Sequence, residues 1–210
     1  MPINSNKLKE IPLFPLNVNL LPEGFMPLQI FEPRYIDMVK LCMSDNLGFV
    51  VVLDKYEVGE RNKDLSFHSI GTYVEIVDFD KLDNGLLGIT AKGKFRVKVL
   101  NFNTQEDGLN IAQVEQLEEE NSSELKKYFN NIWKVLKEIS EHPEIKKMNI
   151  EIDFTSSTNV IYNLSSLLPL SPLEKQEILE ASSDKKRLEF LDHLIVKFGG
   201  GSGPTQDLQA

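Results

Sequence analysis

Gly88-Ile-Thr-Ala-Lys-Gly93-Lys94-Phe95 is the stretch with the strongest outward claim to chemistry, because it has the glycine and lysine spacing of a phosphate-binding loop. Such a loop needs Ser or Thr after the lysine to hold magnesium, and it must lie between a strand and a helix. Phe95 stands in that place, and Phe95, Val97 and Val99 go on alternating with Arg96 and Lys98. The segment is therefore expected to be a half-buried strand with a bend or bulge at Gly93. The other reactive residue types are scattered: His68, His142 and His193 lie far apart. Neither a G-x-S-x-G elbow nor an H-E-x-x-H pair occurs, and metal-ligand spacing is absent. The lone cysteine, Cys42, falls on an amphipathic pattern, where a thiol is expected to pack as a small hydrophobe. The expectation is a chain with no catalytic residues, no cofactor and no metal. The alternative is an enzyme or small-ligand binder with an unrecognised site in a cleft between two halves of the chain.

Charge narrows the partners. The net charge is -9 and the pI about 4.9. Nucleic-acid affinity draws on clustered Lys and Arg meeting phosphates, so neither nucleic acid nor anionic membrane is expected as a partner. Lys92, Lys94, Arg96 and Lys98 form the one basic stripe, read as a solvated strand face. The densest apolar stretch, Phe49 to Leu53, is too short to span a bilayer. No apolar signal region opens the chain, and one cysteine suits a reducing compartment, so a cytoplasmic location is expected.

Several elements must position whatever site exists. Six of the ten prolines fall within the first 33 residues. Proline lacks a backbone donor, so this region should form extended segments and edge strands, at 11–16 and 25–31. Pro33 suits a helix start, and Tyr35, Ile36, Val39, Cys42 and Met43 then recur at helical spacing, ended by Asp45-Asn46 and Gly48. Strands are expected at 47–53, 73–78, 86–90, 95–99 and 109–117. A polar loop spans 54–64, an Asn84-Gly85 hairpin turn lies among them, and Glu106-Asp107-Gly108 makes a further turn. Past Glu118 the period becomes helical. Leu125, Tyr128, Phe129, Ile132, Leu136 and Ile139 form one stripe that His142-Pro143 stops. Helices should follow at 158–168, from Ser171-Pro172-Leu173-Glu174 as a capping box, and around Leu188 to Phe198. The expected division is a β-rich part at 1–118, a helical part at 119–198 and a flexible glycine-rich tail at 199–210.

The stretch Ile11-Pro-Leu-Phe-Pro-Leu-Asn17, then Leu21-Pro22, then Pro27-Leu28-Gln29-Ile30-Phe31-Glu32-Pro33-Arg34-Tyr35 resembles the signature of the amino-terminal, substrate-binding domain of Lon proteases. Ile70-Gly71-Thr72, the run Asp83-Asn84-Gly85-Leu86-Leu87-Gly88-Ile89-Thr90 with Gly93, and Leu167-Leu168-Pro169-Leu170 with Lys175-Gln176 extend the likeness to about Phe198. The resemblance implies an α+β fold, a six-stranded PUA-like pseudo-barrel with one short helix, followed by a carboxy-terminal helical bundle. Full Lon proteases carry an ATPase module and a Ser-Lys protease module after this domain, for which 210 residues leave no room. The expectation is thus a stand-alone, non-catalytic module that binds unfolded polypeptide clients or a specific protein partner, as an adaptor in proteolysis or quality control.

Candidate contact residues follow from chemistry. A polypeptide site needs exposed apolar surface or an open strand edge. Phe14, Phe25 and Met26 qualify because they sit by prolines that keep edges unpaired, and Met26 adapts best to varied partners. Glu32, Arg34 and Tyr35 lie at a strand-to-helix corner, either a structural clamp or a groove rim, since Arg34 can grip a carbonyl or carboxylate with its fork of donors. The acidic surface favours basic segments in clients.

Overall fold

A computed structural model of the chain describes residues 7–55, 67–120 and 123–199. Most of the expected loop at 54–64 and nearly all of the expected tail lie outside the described residues. Six strands form one mixed sheet: β1 (Lys7–Leu16), β2 (Phe25–Ile30), β3 (Phe49–Leu53), β4 (Ile70–Lys81), β5 (Leu87–Thr104) and β6 (Asn110–Gln116). Their order is β2-β5-β4-β3-β1-β6, and β6 pairs back with β5. Only β1 and β3 run parallel. The pairing of β6 with β5 closes the sheet into the pseudo-barrel that the resemblance implies. The length of β5 makes closure possible, because its first half pairs with β2 and its second half with β6.

The phosphate-loop-like string lies inside β5. Tyr73 pairs with Phe95 and Val74 with Gly93, so Lys94 is the extra residue of a bulge. A Cβ at Gly93 would stand 2.2 Å from the Leu21 carbonyl oxygen, and the Gly93 N–H donates to the Gly24 carbonyl at 2.9 Å. The glycine is there because a second backbone crosses it, not to cradle an anion.

All five residues of β3 are buried. Phe49 and Val51 join Phe14, Ile30, Val74 and Ile89 in one core, and Val50 and Val52 join Leu13, Val97, Val99 and Val114 in another. A strand covered on both faces reads as a continuous apolar run, which is why no alternation appears in its sequence. Helix α1 (Pro33–Asp45) covers the first core with Tyr35, Met38, Val39 and Cys42. It begins on Pro33 and ends on Asn46, whose φ of 53° is the left-handed value that stops a helix.

Contacts divide the chain into two units, Met1–Glu118 with Ser171–Leu179, and Glu119–Leu170 with Glu180–Ala210. The first unit takes most of helix α5 (Pro172–Glu180) from the helical half of the sequence. Ser171 and Glu174 do form the expected capping box, the Glu174 N–H donating to Ser171 Oγ at 3.2 Å and the Ser171 N–H to Glu174 Oε2 at 2.8 Å. Gln176 fastens the helix to the sheet: its amide nitrogen donates to the Ile70 carbonyl at 3.0 Å, and its amide oxygen accepts from Asn19 at 2.6 Å.

This helix corrects the reading of the basic stripe. Lys94 and Lys98 are exposed, but Arg96 is only 4% exposed. Its guanidinium donates to the Leu179 carbonyl at 2.7 Å and to the Glu118 carbonyl at 3.3 Å. Those two carbonyls mark two of the points where the chain leaves the first unit.

The second unit contains α2 (Asn130–Glu141), α3 (Pro143–Lys147), α4 (Ser157–Leu167) and α6 (Asp184–Gly199). The expected single stripe from Leu125 to Ile139 is broken: Ser123–Lys127 is a 3-10 turn, and α2 begins only after Phe129. Tyr128 consequently points to solvent, 63% exposed, while Phe129, Ile132, Trp133 and Leu136 are buried. Asp184 and Arg187, on α6, are both buried. The Asp184 carboxylate accepts from Ser157 at 2.6 Å, Thr158 at 2.8 Å and Arg187 at 2.6 Å. Arg187 also donates to Glu119 at 3.0 Å and to the Ala181 carbonyl at 2.9 Å. A buried charge is tolerable only with such complete pairing.

Candidate polypeptide-binding surface

Within the first unit, β2, the first half of β5 and the second half of β4 make a three-stranded arm. Leu82-Asp83-Asn84-Gly85 builds its tip. Gly85 has φ 82°, and Asn84 Oδ1 accepts from the Leu86 N–H at 3.1 Å, so the expected Asn-Gly turn forms. One face of the arm rests on the first core, with Met26, Leu28, Ile76 and Leu87 partly buried against it.

Apolar side chains also lie open at both margins of the arm. Phe25 is 45% exposed and Phe31, just past β2, is 68% exposed. On β4, Val77 and Phe79 are 49% and 57% exposed. Phe25 is paired with Lys92, whose ammonium lies 5.3 Å from the centre of its ring. Phe31, Val77 and Phe79 were not singled out from sequence. The alternation around Asp78 and Asp80 marks a strand there, but only the start of β3 at Phe49 shows that, among the described residues, no strand pairs beside it.

The other sequence candidates divide. Phe14 and Tyr35 are buried, their ring centres 4.1 Å apart, and Phe14 also meets Phe49 edge-on at 5.9 Å. This corrects their reading as contact residues, because α1 closes over the strand that carries Phe14 and leaves neither ring a free face. Glu32 and Arg34 form the corner as a clamp. Arg34 donates to the Gly108 carbonyl at 2.7 Å, pairs with Glu32 at 2.7 Å and covers the Tyr35 ring at 4.7 Å. It thereby ties the start of α1 to the turn between β5 and β6. Burial pushes the Tyr35 hydroxyl above its ordinary pKa, against the opposing pull of Arg34.

Reactive groups stay apart. Cys42 is buried and its Sγ lies 3.5 Å from the Gly48 carbonyl; burial first, then Asp45, push its thiol up to about 11. Such a thiol is not a nucleophile at neutral pH. Among the described residues no group of three or more His, Cys, Asp and Glu side chains is placed to hold a metal, and no helix is long and apolar enough to cross a membrane.

A closed mixed sheet with one helix laid over its core defines a fold that comparison places. The model of the ATP-dependent protease La (LON) substrate-binding domain matches residues 10–197, and the chain belongs to that family. A Lon protease of Buchnera aphidicola is 30% identical over 192 residues, which cover 87% of this chain and 24% of that protein. Lon protease 1 of Bacillus subtilis is 26% identical over 191 residues, 86% of this chain and 24% of that protein. The chain thus spans about a quarter of the length of these relatives. A crystal structure of a Lon N-terminal domain protein from Xanthomonas campestris superposes with a TM-score of 0.66 at 28% identity, over 88% of this chain and 97% of that one. The N-terminal domain of Lon protease from Mycobacterium avium complex has the same fold, with a TM-score of 0.65 at 16% identity over 93% of this chain and all of that domain.

Proposed function

We propose that this chain recognises polypeptides, unfolded clients or a specific protein partner, without acting on them chemically. In this reading it serves proteolysis or quality control in the cytoplasm, and the arm is its contact surface. The observation that carries the reading is the apolar exposure along both margins of the arm, at Phe25, Phe31, Val77 and Phe79. Single exposed hydrophobes are ordinary on a protein surface, but Phe25 and Phe31 at one margin and Val77 and Phe79 at the other give the arm two apolar margins that association would cover. Met26 keeps its place among the candidates, partly buried at the rim of the same element. Membership of a substrate-binding family supports the kind of ligand. The buried, proton-holding Cys42 supports the absence of nucleophilic chemistry.

Burying one phenyl side chain contributes about 1.5–3 kcal/mol and micromolar affinity needs about 8 kcal/mol net of the cost of association, so the half-exposed rings of the arm supply part of it and backbone and polar contacts the rest. The test is fluorescence anisotropy with a labelled, permanently unfolded polypeptide and the same polypeptide folded. The unfolded form should bind in the micromolar range and the folded form much more weakly. Phe25→Ser and Phe79→Ser should each weaken binding by about three- to tenfold, with stability changed by less than about 0.5 kcal/mol because both side chains lie at the surface. Equal binding of folded and unfolded forms, or no loss in either variant, would contradict the reading.

A further inference from the structure

Strand β4 outlasts its neighbour. β3 pairs with it at Thr72, Tyr73 and Val74 only, while β4 continues to Lys81 with β5 on its other side. Among the described residues, Glu75–Lys81 is therefore an open edge, and an open edge is a template for an added strand. The sheet's other open edge, β2, carries Pro27 in its middle, which has no N–H to give. β4 contains no proline and protects itself otherwise. The Phe79 N–H donates to the Asp78 carboxylate at 2.9 Å, and the Lys81 N–H donates to the Asp80 carboxylate at 2.7 Å. Residues two apart in an antiparallel ladder point their N–H groups to the same side, so the donors of this edge are held by its own acids.

We propose that the open edge of β4 takes up an extended segment in which Lys or Arg alternates with apolar residues. This rests on the polypeptide-binding reading and names the class of segment bound. An arriving strand must offer its carbonyls to the N–H groups of Phe79 and Lys81 and displace the two carboxylates. A basic strand gives each displaced carboxylate a cation, because side chains directly opposite on paired strands lie about 4.5–5.5 Å apart. A neutral strand gives nothing in exchange, and an acidic one adds repulsion. Phe79, exposed and in register, meets an apolar residue of the alternation, and the exposed Val77, the extra residue of a bulge between Ile76 and Asp78, lies beside it. Glu75 is already paired with Lys94 at 3.1 Å, so Asp78 and Asp80 carry the selection. A second copy of the chain is a poor occupant: it brings the same two acids to the same edge, and its net charge is -9.

The experiment uses the full chain and four labelled probes. These are a permanently unfolded polypeptide, a Lys-Val alternating peptide, a Glu-Val alternating peptide, and the Lys-Val peptide N-methylated at alternate residues so that one edge cannot pair. The Lys-Val peptide should bind at least about tenfold tighter than both the Glu-Val and the N-methylated peptides. Asp78→Asn with Asp80→Asn keeps an acceptor for each N–H and should bring the Lys-Val and Glu-Val peptides to within about threefold. N-methylation without effect would show attraction by charge alone and overturn strand addition. Lys-Val and Glu-Val bound alike, or no change in the double variant, would overturn the selection by Asp78 and Asp80. If the unfolded polypeptide binds and neither peptide does, the edge proposal fails and the polypeptide-binding reading survives. If nothing binds, both fall.

Discussion

Arg96→Met would take away the guanidinium that meets the Glu118 carbonyl at 3.3 Å and the Leu179 carbonyl at 2.7 Å. The Leu179 carbonyl is buried, and a buried acceptor left without a donor costs about 1–3 kcal/mol, while the part-buried Glu118 carbonyl can turn to water, so the variant should lose about 1–3 kcal/mol, read as a lower urea midpoint. Lys98→Met, at an exposed position on the same strand, should change it by less than about 0.5 kcal/mol. The contrast was not legible in the stripe itself. Alternation with Val97 and Val99 puts Arg96 on the far face of the strand, and only α5, some eighty residues later, turns that face into an interior. Cys42 was legible, because a thiol at helical spacing among apolar residues packs inward. Its thiol holds the proton up to about 11 in the folded chain, against an ordinary 9.0. The native state thus keeps a proton that the unfolded chain releases earlier. This contribution is present below pH 9 and is lost as pH rises toward 11, on the order of 2 kcal/mol in all. Urea unfolding from pH 8 to 11 should show a falling midpoint, and Cys42→Ala should flatten the fall. The flattening is partial, since burial also pushes Tyr35 and Tyr73 up.

At the scale of elements, turn and cap chemistry carried well. Pro33, Asn46, Asn84-Gly85 and the Ser171-Glu174 box all do locally what their residue types prescribe, because each depends on neighbours a few residues away. Elements set by distant partners were harder. β5 reads as two strands with a glycine between, yet it is one, and its bulge at Lys94 absorbs the crossing backbone at Gly93. Gly93→Ala would drive a Cβ to 2.2 Å from the Leu21 carbonyl oxygen. Overpacking of this kind costs about 1–3 kcal/mol, and more where the obstacle is backbone, so calorimetry should show a clear drop in melting temperature. A melting temperature equal to the wild type would mean that Gly93 is not a crossing point. The break at Phe129 was equally hidden. Periodicity from Leu125 to Ile139 suits one helix, and nothing local announces that the chain turns at Tyr128.

At the scale of the molecule, the closed sheet and the helices after it were foreshadowed by the shift from strand to helical periodicity near Glu118, and the signature from Ile11 to Tyr35 pointed to the family. That signature turned out to be mostly architecture. Phe14 and Tyr35 fill the core, and Glu32 with Arg34 clamp the corner. Among the exposed apolar side chains, Phe25, Phe31, Val77 and Phe79 lie at the margins of the arm, and of these the sequence had offered Phe25 alone as a candidate. Core residues outnumber contact residues in any signature, and exposure depends on what the fold leaves uncovered. The central claim, that the arm meets polypeptide, is tested most directly by hydrogen exchange with and without a saturating, permanently unfolded polypeptide. Slower exchange should concentrate in residues 25–31 and 75–90 and leave α4 and α6 unchanged. Protection confined to the helices of the second unit, with none on the arm, would contradict the account.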